Sequence, residues 1–500
     1  MKFLAILAIV AACNAGPAVF NLPKSPPGRS ALLDHVPVGF SFDYGFAEYL
    51  QNVSLTLKCM RNLKSVSGVW PDVRLGAGED DWGEYKPDLD EYLYYYEIEP
   101  GSFDRRFYYG KRYLKAVAKY PGLSVFVPGL NRGSDNLTNT ILAAKDIARY
   151  IPSVKAVELG NEPDSKIYPY TGPGGKPHAV VTNAGFDNTT WTPEAEASSE
   201  SKWNLAVGRG VGKPFIQAGG YYLPTSLGWS AKSLLTYLKP AAKNYVKFFS
   251  HHNYPQTVSD RATSGLPRPD LKSLMSHVNV SSNVGQYQAD AAFSTSQGIQ
   301  YVLGETNSVS GGGDPEISPT FGAGLWVLDY SLRAASTNIS RLNFHFQGIN
   351  SVSYYVWWDL VGVKAPYYGA LLATEAMAGG DRIAALDNGT TNYAAYAIYS
   401  KGTPKSMVLI NTDIYTGDGE RQTKEFAISG LTKNSLFAKR LTAQSALARQ
   451  EHGDLPTFGG QFISDTTCKL EGLARKEEVK VRSGTASFVL SASEALLVQL

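Results

Sequence analysis

From residue 37 to about residue 380, short apolar runs alternate with amphipathic stretches. The apolar runs are PVGFSF (37–42), VWPDVRLG (69–76), LSVFVPGL (123–130) and VKAVELG (154–160). They continue with KPFIQAGG (213–220), YVKFFSHH (245–252), IQYVLGE (299–305) and SRLNFHF (340–346). Several are nearly continuous, which suits strands covered on both faces, as in a parallel sheet. Between them, LTNTILAAKDIARYI (137–151) brings Ile141, Leu142, Ile147 and Ile151 towards one helical face. SAKSLLTYLKPAAKNY (230–245) and FGAGLWVLDYSLRAAS (321–336) have the same character. Eight strands alternating with helices predict an α/β fold, a (β/α)8 TIM barrel rather than an open sheet. The second helix is obscured by the Tyr-rich stretch 85–113.

After about residue 381 the period changes. TNYAAYAIYS (391–400), SMVLINTD (406–413), KEFAISGL (424–431) and ASFVLSASEALLVQL (486–500) alternate in strand fashion, with turn signals at Asn388-Gly389 and Gly417-Asp418-Gly419. This predicts an accessory antiparallel β-sandwich. The expected organisation is a leader over 1–18, an N-terminal segment 19–36, a barrel over 37–380 and a sandwich over 381–500.

The leader reads as a cleaved signal peptide: Lys2, an apolar core from Phe3 to Ala12, then small residues, with cleavage after Ala15 or Ala18. No run reaches the roughly 20 apolar residues of a membrane span. A secreted, extracellular protein is expected, without membrane attachment and as a monomer. Sequons at Asn52, Asn136, Asn188, Asn279, Asn338 and Asn388 agree with export. With Cys13 lost in the leader, Cys59 and Cys468 remain, either bridged or free, since spacing alone does not decide whether they meet. The net charge of +2 gives no basic field for nucleic acid. No Cys/His cluster has metal spacing, so no metal or cofactor is expected. The 30 Tyr, 21 Phe and 8 Trp are many; most suit sheet faces and cores, and some would suit a sugar-binding cleft.

Two segments carry the chemistry. In VELGNEPD (157–164) an apolar strand ends in Asn161-Glu162, and Pro163 stops it. In YVLGETNSVSGGG (301–313) the seventh strand ends in Glu305, and glycines follow at 311–313. Strand ends of a barrel face the active-site mouth. Two carboxyl groups facing each other there suit glycoside hydrolysis, with Glu162 as acid/base and Glu305 as nucleophile. Either glutamate alone would also fit a solvated turn. In FFSHHNYP (248–255), His252 and Tyr254 end strand six, where the phenol would orient Glu305; a core histidine pair with a packing Tyr is the plainer alternative. Asp43 ends strand one, and His345 lies in strand eight.

Across most of its length the chain resembles glycoside hydrolase family 79, the heparanase and β-glucuronidase family. The motifs FSFD, RLGAGEDD, VPGLN, VELGNEPD, HHNY and GETNSVSGGG carry the resemblance, in that order, with FGAGLWVLDY after them. It implies a barrel with a sandwich to which the N-terminal segment contributes, and retention of anomeric configuration. It places Asp43 on sugar hydroxyls, Asn161 on the 2-hydroxyl, and Gly311 and Gly312 on the ligand through backbone N–H. His345 and Tyr354 would lie near a uronate, with Tyr355 taking the second role if the register slips by one. One departure stands out: heparanase-like members carry Tyr before the glycines, and this chain has Ser310.

The expected activity is exo-β-glucuronidase action on terminal glucuronic acid, with or without 4-O-methylation, of extracellular glycans such as arabinogalactan. Its partners would be glucuronic-acid-containing glycans or glycosides. The rivals are an endo-β-glucuronidase of heparanase type, a neutral-sugar glycosidase and an inactive carbohydrate-binding or cell-wall protein.

Overall fold

A computed structural model of the protein describes residues 16–33, 37–46, 50, 52–97, 105–119, 126–164, 191–258, 268–347 and 353–500. Residues 1–15 of the expected 1–18 leader and the sequon at Asn188 lie outside them.

Eight strands close into a parallel barrel in sequential order. They are β1 (Val38–Phe42), β2 (Val73–Leu75), β3 (Phe126–Leu130) and β4 (Val157–Leu159), then β5 (Ile216–Tyr221), β6 (Val246–Asn253), β7 (Gln300–Thr306) and β8 (Ile339–Phe346). Each of the eight apolar runs contains one of these strands or matches it to within one residue, and nearly every residue of the strands is buried. Around the barrel lie α1 (Ser54–Ser67), α2 (Lys111–Ala118), α3 (Leu137–Tyr150), α4 (Pro193–Val211), α5 (Ala231–Tyr237), α6 (Gln288–Ser296), α7 (Phe321–Ser336) and α8 (Pro366–Met377). Within the barrel, Val127, Ala156 and Phe248 form a small cluster of their own. The Arg341 guanidinium lies 3.8 Å from the Phe248 ring centroid.

Three local differences from the sequence reading have physical causes. The helix expected over 230–245 breaks into Ala231–Tyr237 and Pro240–Lys243. Lys239, which precedes Pro240, is extended at ψ 135, as steric clash with a following proline requires. The Tyr-rich stretch holds a three-stranded sheet, Gly83–Tyr85, Leu93–Glu97 and Arg105–Tyr109, before α2 begins. Its Phe107 and Tyr109 rings pack on Tyr44, just beyond β1. The run 486–500 is two strands, Ala486–Ser491 and Glu494–Gln499, with Ser493 between them in a left-handed turn (φ 59).

The C-terminal strands form a sandwich. One sheet runs 31–32, 382–385, 393–400, 403–411, 494–499, 435–442 and 457–458; the other runs 18–21, 423–429 and 486–491. Strands from the N-terminal segment thus enter both sheets, Ala18 pairing with Phe426 and Ala31 with Ile383. Cys59 in α1 is bridged to Cys468, which fastens the barrel to the C-terminal region across 409 residues. A second fastening is ionic. Buried His277 lies 2.8 Å from Asp329 of α7 and 2.9 Å from Asp387, and Tyr396 of the sandwich donates to Asp329 at 2.6 Å. Burial disfavours the imidazolium, but the two carboxylates outweigh it and raise the pKa to about 10. Among the described residues, no helix is long and apolar enough to cross a membrane.

Candidate active site

The site is built from strand ends at the C-terminal mouth of the barrel. β4 stops at Leu159, and the chain turns through Gly160 (φ 78) to Glu162, itself left-handed at φ 45. A non-glycine residue there is unfavourable, more so before proline. The Glu162 N–H donates to the Gly220 carbonyl at 3.1 Å, which holds the turn against β5. Such strain persists where the surroundings over-determine it, and it clusters at functional sites. Glu305 sits within β7, opposite His252 of β6, where the pairing of β7 with β8 shifts register between Leu303 and Thr306.

The two carboxylates and His252 converge: one ligating atom from each of Glu162, His252 and Glu305 lies within 4.8 Å of the others. His252 Nδ1 is 3.0 Å from Glu162 Oε1, within hydrogen-bond distance. Tyr254 donates its hydroxyl to Glu305 Oε1 at 2.8 Å. The other Glu305 oxygen accepts from Arg74 Nη1 at 2.8 Å.

Arg74, in β2, is the hub of the site. It is 1% exposed. Its Nε and Nη2 donate to Glu158 Oε1 (2.8 and 2.7 Å), Nη2 also to Asn161 Oδ1 (2.7 Å), and Nη1 also to Ser41 (3.0 Å). Burial opposes its charge, but Glu158, Glu305 and Asp80 outweigh that and keep the guanidinium protonated. Burial likewise opposes ionisation of Glu305. The charges of His345, His252 and Arg74, with the Tyr254 hydrogen bond, overcome it and lower the carboxyl to about 2. Glu162 is more open, its side chain 27% exposed against 10% for Glu305. An ionised, hydrogen-bonded carboxylate beside a more accessible one bonded to a histidine is a pairing suited to acid–base and nucleophilic chemistry. The same trio has the spacing of a cation site, but Arg74 already holds one Glu305 oxygen and Tyr254 the other. That donor set fits proton handling better than metal ligation.

The remaining sequence-derived residues fall around this centre. Asp43 follows β1 directly at the mouth. His345 is buried, with Nδ1 3.1 Å from the Ser41 hydroxyl, and burial lowers its pKa. Gly311, Gly312 and Gly313 are all left-handed (φ 73, 88 and 87). A Cβ on Gly311 would meet Val258 at 2.7 Å, and one on Gly313 the Tyr355 nitrogen at 2.8 Å. The Tyr354 N–H donates to the Gly312 carbonyl at 2.7 Å, so the strand-eight loop is clasped to the glycines while Tyr354 stays 36% exposed. Tyr355 is buried, its ring 6.1 Å from that of His345 and 6.4 Å from that of Tyr254. Ser310 donates to Thr257 at 2.6 Å, joining the loops after β6 and β7. The sequons at Asn52, Asn136, Asn279 and Asn388 are exposed, and Asn338 is half-buried.

Sequence reasoning passed over Arg74, Glu158 and Gln217. Each is a polar side chain inside a strand that is otherwise buried on both faces. That mismatch was the available signal, because buried charges occur paired.

Residues 395–497 match the Glycosyl hydrolase family 79 C-terminal beta domain. A β-glucuronidase of Aspergillus niger is 28% identical over 423 residues, 78% of this chain and 74% of that protein. A β-glucuronidase of Neurospora crassa is 25% identical over 463 residues, 83% of this chain and 79% of that one. The crystal structure of a 4-O-α-L-rhamnosyl-β-D-glucuronidase from Fusarium oxysporum, in complex with Rha-GlcA, superposes with a TM-score of 0.85 at 36% identity, over 96% of this chain and 100% of that one. Barrel, sandwich, strand-end carboxylates and these likenesses converge on one conclusion: the chain is a glycoside hydrolase and belongs to glycoside hydrolase family 79.

Proposed function

We propose that this protein is a secreted, exo-acting, configuration-retaining β-glucuronidase that removes terminal glucuronic acid from extracellular glycans. The observation that carries the chemistry is the convergence of Glu162 and Glu305, with carboxylate oxygens within 4.8 Å. Retaining enzymes hold the two carboxyl groups about 5–5.5 Å apart, while inverting enzymes need about 6.5–9.5 Å to admit a water. Glu305, ionised by Arg74 and Tyr254, attacks the anomeric carbon as Glu162 gives its proton to the departing glycosidic oxygen. That oxygen leaves with the aglycone, and the sugar is left as an ester of Glu305. Glu162 then takes a proton from water, the water oxygen bonds the anomeric carbon, and the ester bond to Glu305 breaks. His252 exchanges the proton with Glu162 across their 3.0 Å contact.

The glucuronide preference is supported by the activities named for the three relatives. The Fusarium likeness favours one extension, acceptance of a substituent on O4, so that a rhamnosyl-glucuronic acid disaccharide leaves as a unit. Tyr354, exposed beside Gly312, is the proposed donor to the uronate; Asp43 and Asn161 take sugar hydroxyls. Export is supported by the leader and by the Cys59–Cys468 bridge, which suits an oxidising compartment. Cleavage after Ala15 leaves strand 18–21 whole, whereas cleavage after Ala18 removes its first residue.

Hydrolysis of a chromogenic β-glucuronide, with NMR of the first-formed anomer, tests the proposal. The expected outcome is turnover of the glucuronide over the matching glucoside, with the β-anomer released first. A first-formed α-anomer, or no turnover, would overturn it.

A further inference from the structure

Glu158 is a buried carboxylate to which the two-step reaction gives no task. It lies in β4, 1% exposed. One oxygen accepts from both Nε and Nη2 of Arg74, and the other accepts from Gln217 Nε2 at 2.7 Å. His252 Nε2 is 4.0 Å from the Arg74-bound oxygen. Arg74 extends its remaining amino group, Nη1, to Glu305 at 2.8 Å. One buried cation therefore serves two carboxylates from two edges.

We propose that Glu158 is a positioning residue, the standing counter-ion that holds Arg74 in place while Glu305 is a glycosyl ester and carries no charge. This rests on the retaining reading given above. When the ester forms, Arg74 loses one anionic partner but stays buried, and an unpaired buried cation is strongly unfavourable. Asp80 is the only other carboxylate bridged to Arg74 among the described residues, but it stands off at 3.6 Å, against 2.7 Å for Glu158, and burial raises its pKa well above the usual carboxylate range against the pull of that cation. Glu158 resists burial because Arg74, His252 and Gln217 favour its ionised form. With the Nε edge clamped, Nη1 stays aimed at the position where the Glu305 carboxylate reappears as water displaces the sugar.

This role has a kinetic signature. Removing the charge of Glu158 raises the energy of the glycosyl-enzyme most, of the flanking transition states less, and of the free enzyme least. Formation of the intermediate slows and its breakdown does not. Ordinary loss of packing slows both steps.

The experiment uses 2-deoxy-2-fluoro-β-D-glucuronosyl fluoride on the full chain. The rates of labelling and of reactivation are followed by mass spectrometry and activity for wild type, Glu158→Gln and Glu158→Asp. Both rates are first-order constants, so they do not depend on how much of a variant folds. Gln keeps the shape and loses the charge; Asp keeps the charge and loses a methylene. Expected are labelling of Glu158→Gln slower by about tenfold or more, reactivation no slower than wild type, and Glu158→Asp closer to wild type in labelling. The inference falls if Glu158→Gln stays within roughly twofold of wild type in both steps, slows in both, fails to fold, or outperforms Glu158→Asp. Wild type that takes no label would instead overturn the retaining reading itself.

Discussion

The His277 cluster makes a quantitative demand on the stability of the protein. The imidazole lies between Asp329 and Asp387, with Arg333 3.5 Å from Asp387 and the Tyr396 hydroxyl on Asp329. Its pKa is raised from 6.5 to about 10. A group whose pKa is raised on folding contributes fully below its unfolded value and loses that contribution as pH rises through the folded one. The window is therefore pH 6.5 to 10, with stability falling as pH rises. At 1.36 kcal/mol per pKa unit, the difference corresponds to about 5 kcal/mol. An unfolding entropy of about 2.1 cal/mol/K per residue gives about 1 kcal/mol/K for a chain of this length, or about 5 °C in Tm. Lys would keep the positive charge and Glu would add a negative one, so Gln, which is neutral and can donate to one carboxylate, is the informative substitution. Melting of wild type and His277→Gln at one scan rate, from pH 6 to pH 10, should show wild type more stable at pH 6 and the gap closing by about 5 °C towards pH 10. A gap that stays constant across that window would refute the assignment of a charged His277.

Glu305→Gln should fold normally and lose nearly all turnover, because an amide cannot attack the anomeric carbon; near-normal activity removes it as nucleophile. Glu162→Ala should harm substrates with poor leaving groups far more than activated aryl glucuronides, and azide should restore part of the rate and yield a β-glycosyl azide. Equal losses without azide rescue contradict the acid/base role. Tyr354→Phe should lower kcat/KM for the glucuronide by about 1–3 kcal/mol and shrink its advantage over the glucoside, and an unchanged ratio would exclude Tyr354 as the uronate donor. Replacing Cys59 and Cys468 together by Ser should cost about 2–5 kcal/mol, read as a lower Tm that reductant no longer changes.

The barrel was legible because its strands are covered on both faces. Strands such as Val246–Asn253 and Gln300–Thr306 are buried at all but one position each, and their apolar residues fall on both faces rather than alternating. Glu162 and Glu305 were legible for the complementary reason, as acids where such runs end. The Tyr-rich stretch hid a small sheet because it buries Phe107 and Tyr109 on one face and leaves Tyr94 exposed on the other. Pro240 was visible, but the amphipathic pattern on either side of it read as one helix. Arg74, Glu158 and Gln217 belong to three different strands. Their mutual satisfaction is a long-range fact that no local pattern records.

The pairing of Ala18–Asn21 with Thr423–Ser429 sets a timetable for biosynthesis. At about 5–20 residues per second, roughly 20–80 s separate synthesis of the first strand from that of its partner. Throughout that interval an apolar strand with an unpaired edge is available to other chains. A fragment beginning at the barrel would remove the hazard but leave the 423–429 edge of the sandwich uncovered. Shortening the chain from the front thus moves the vulnerability from the nascent protein to the finished one.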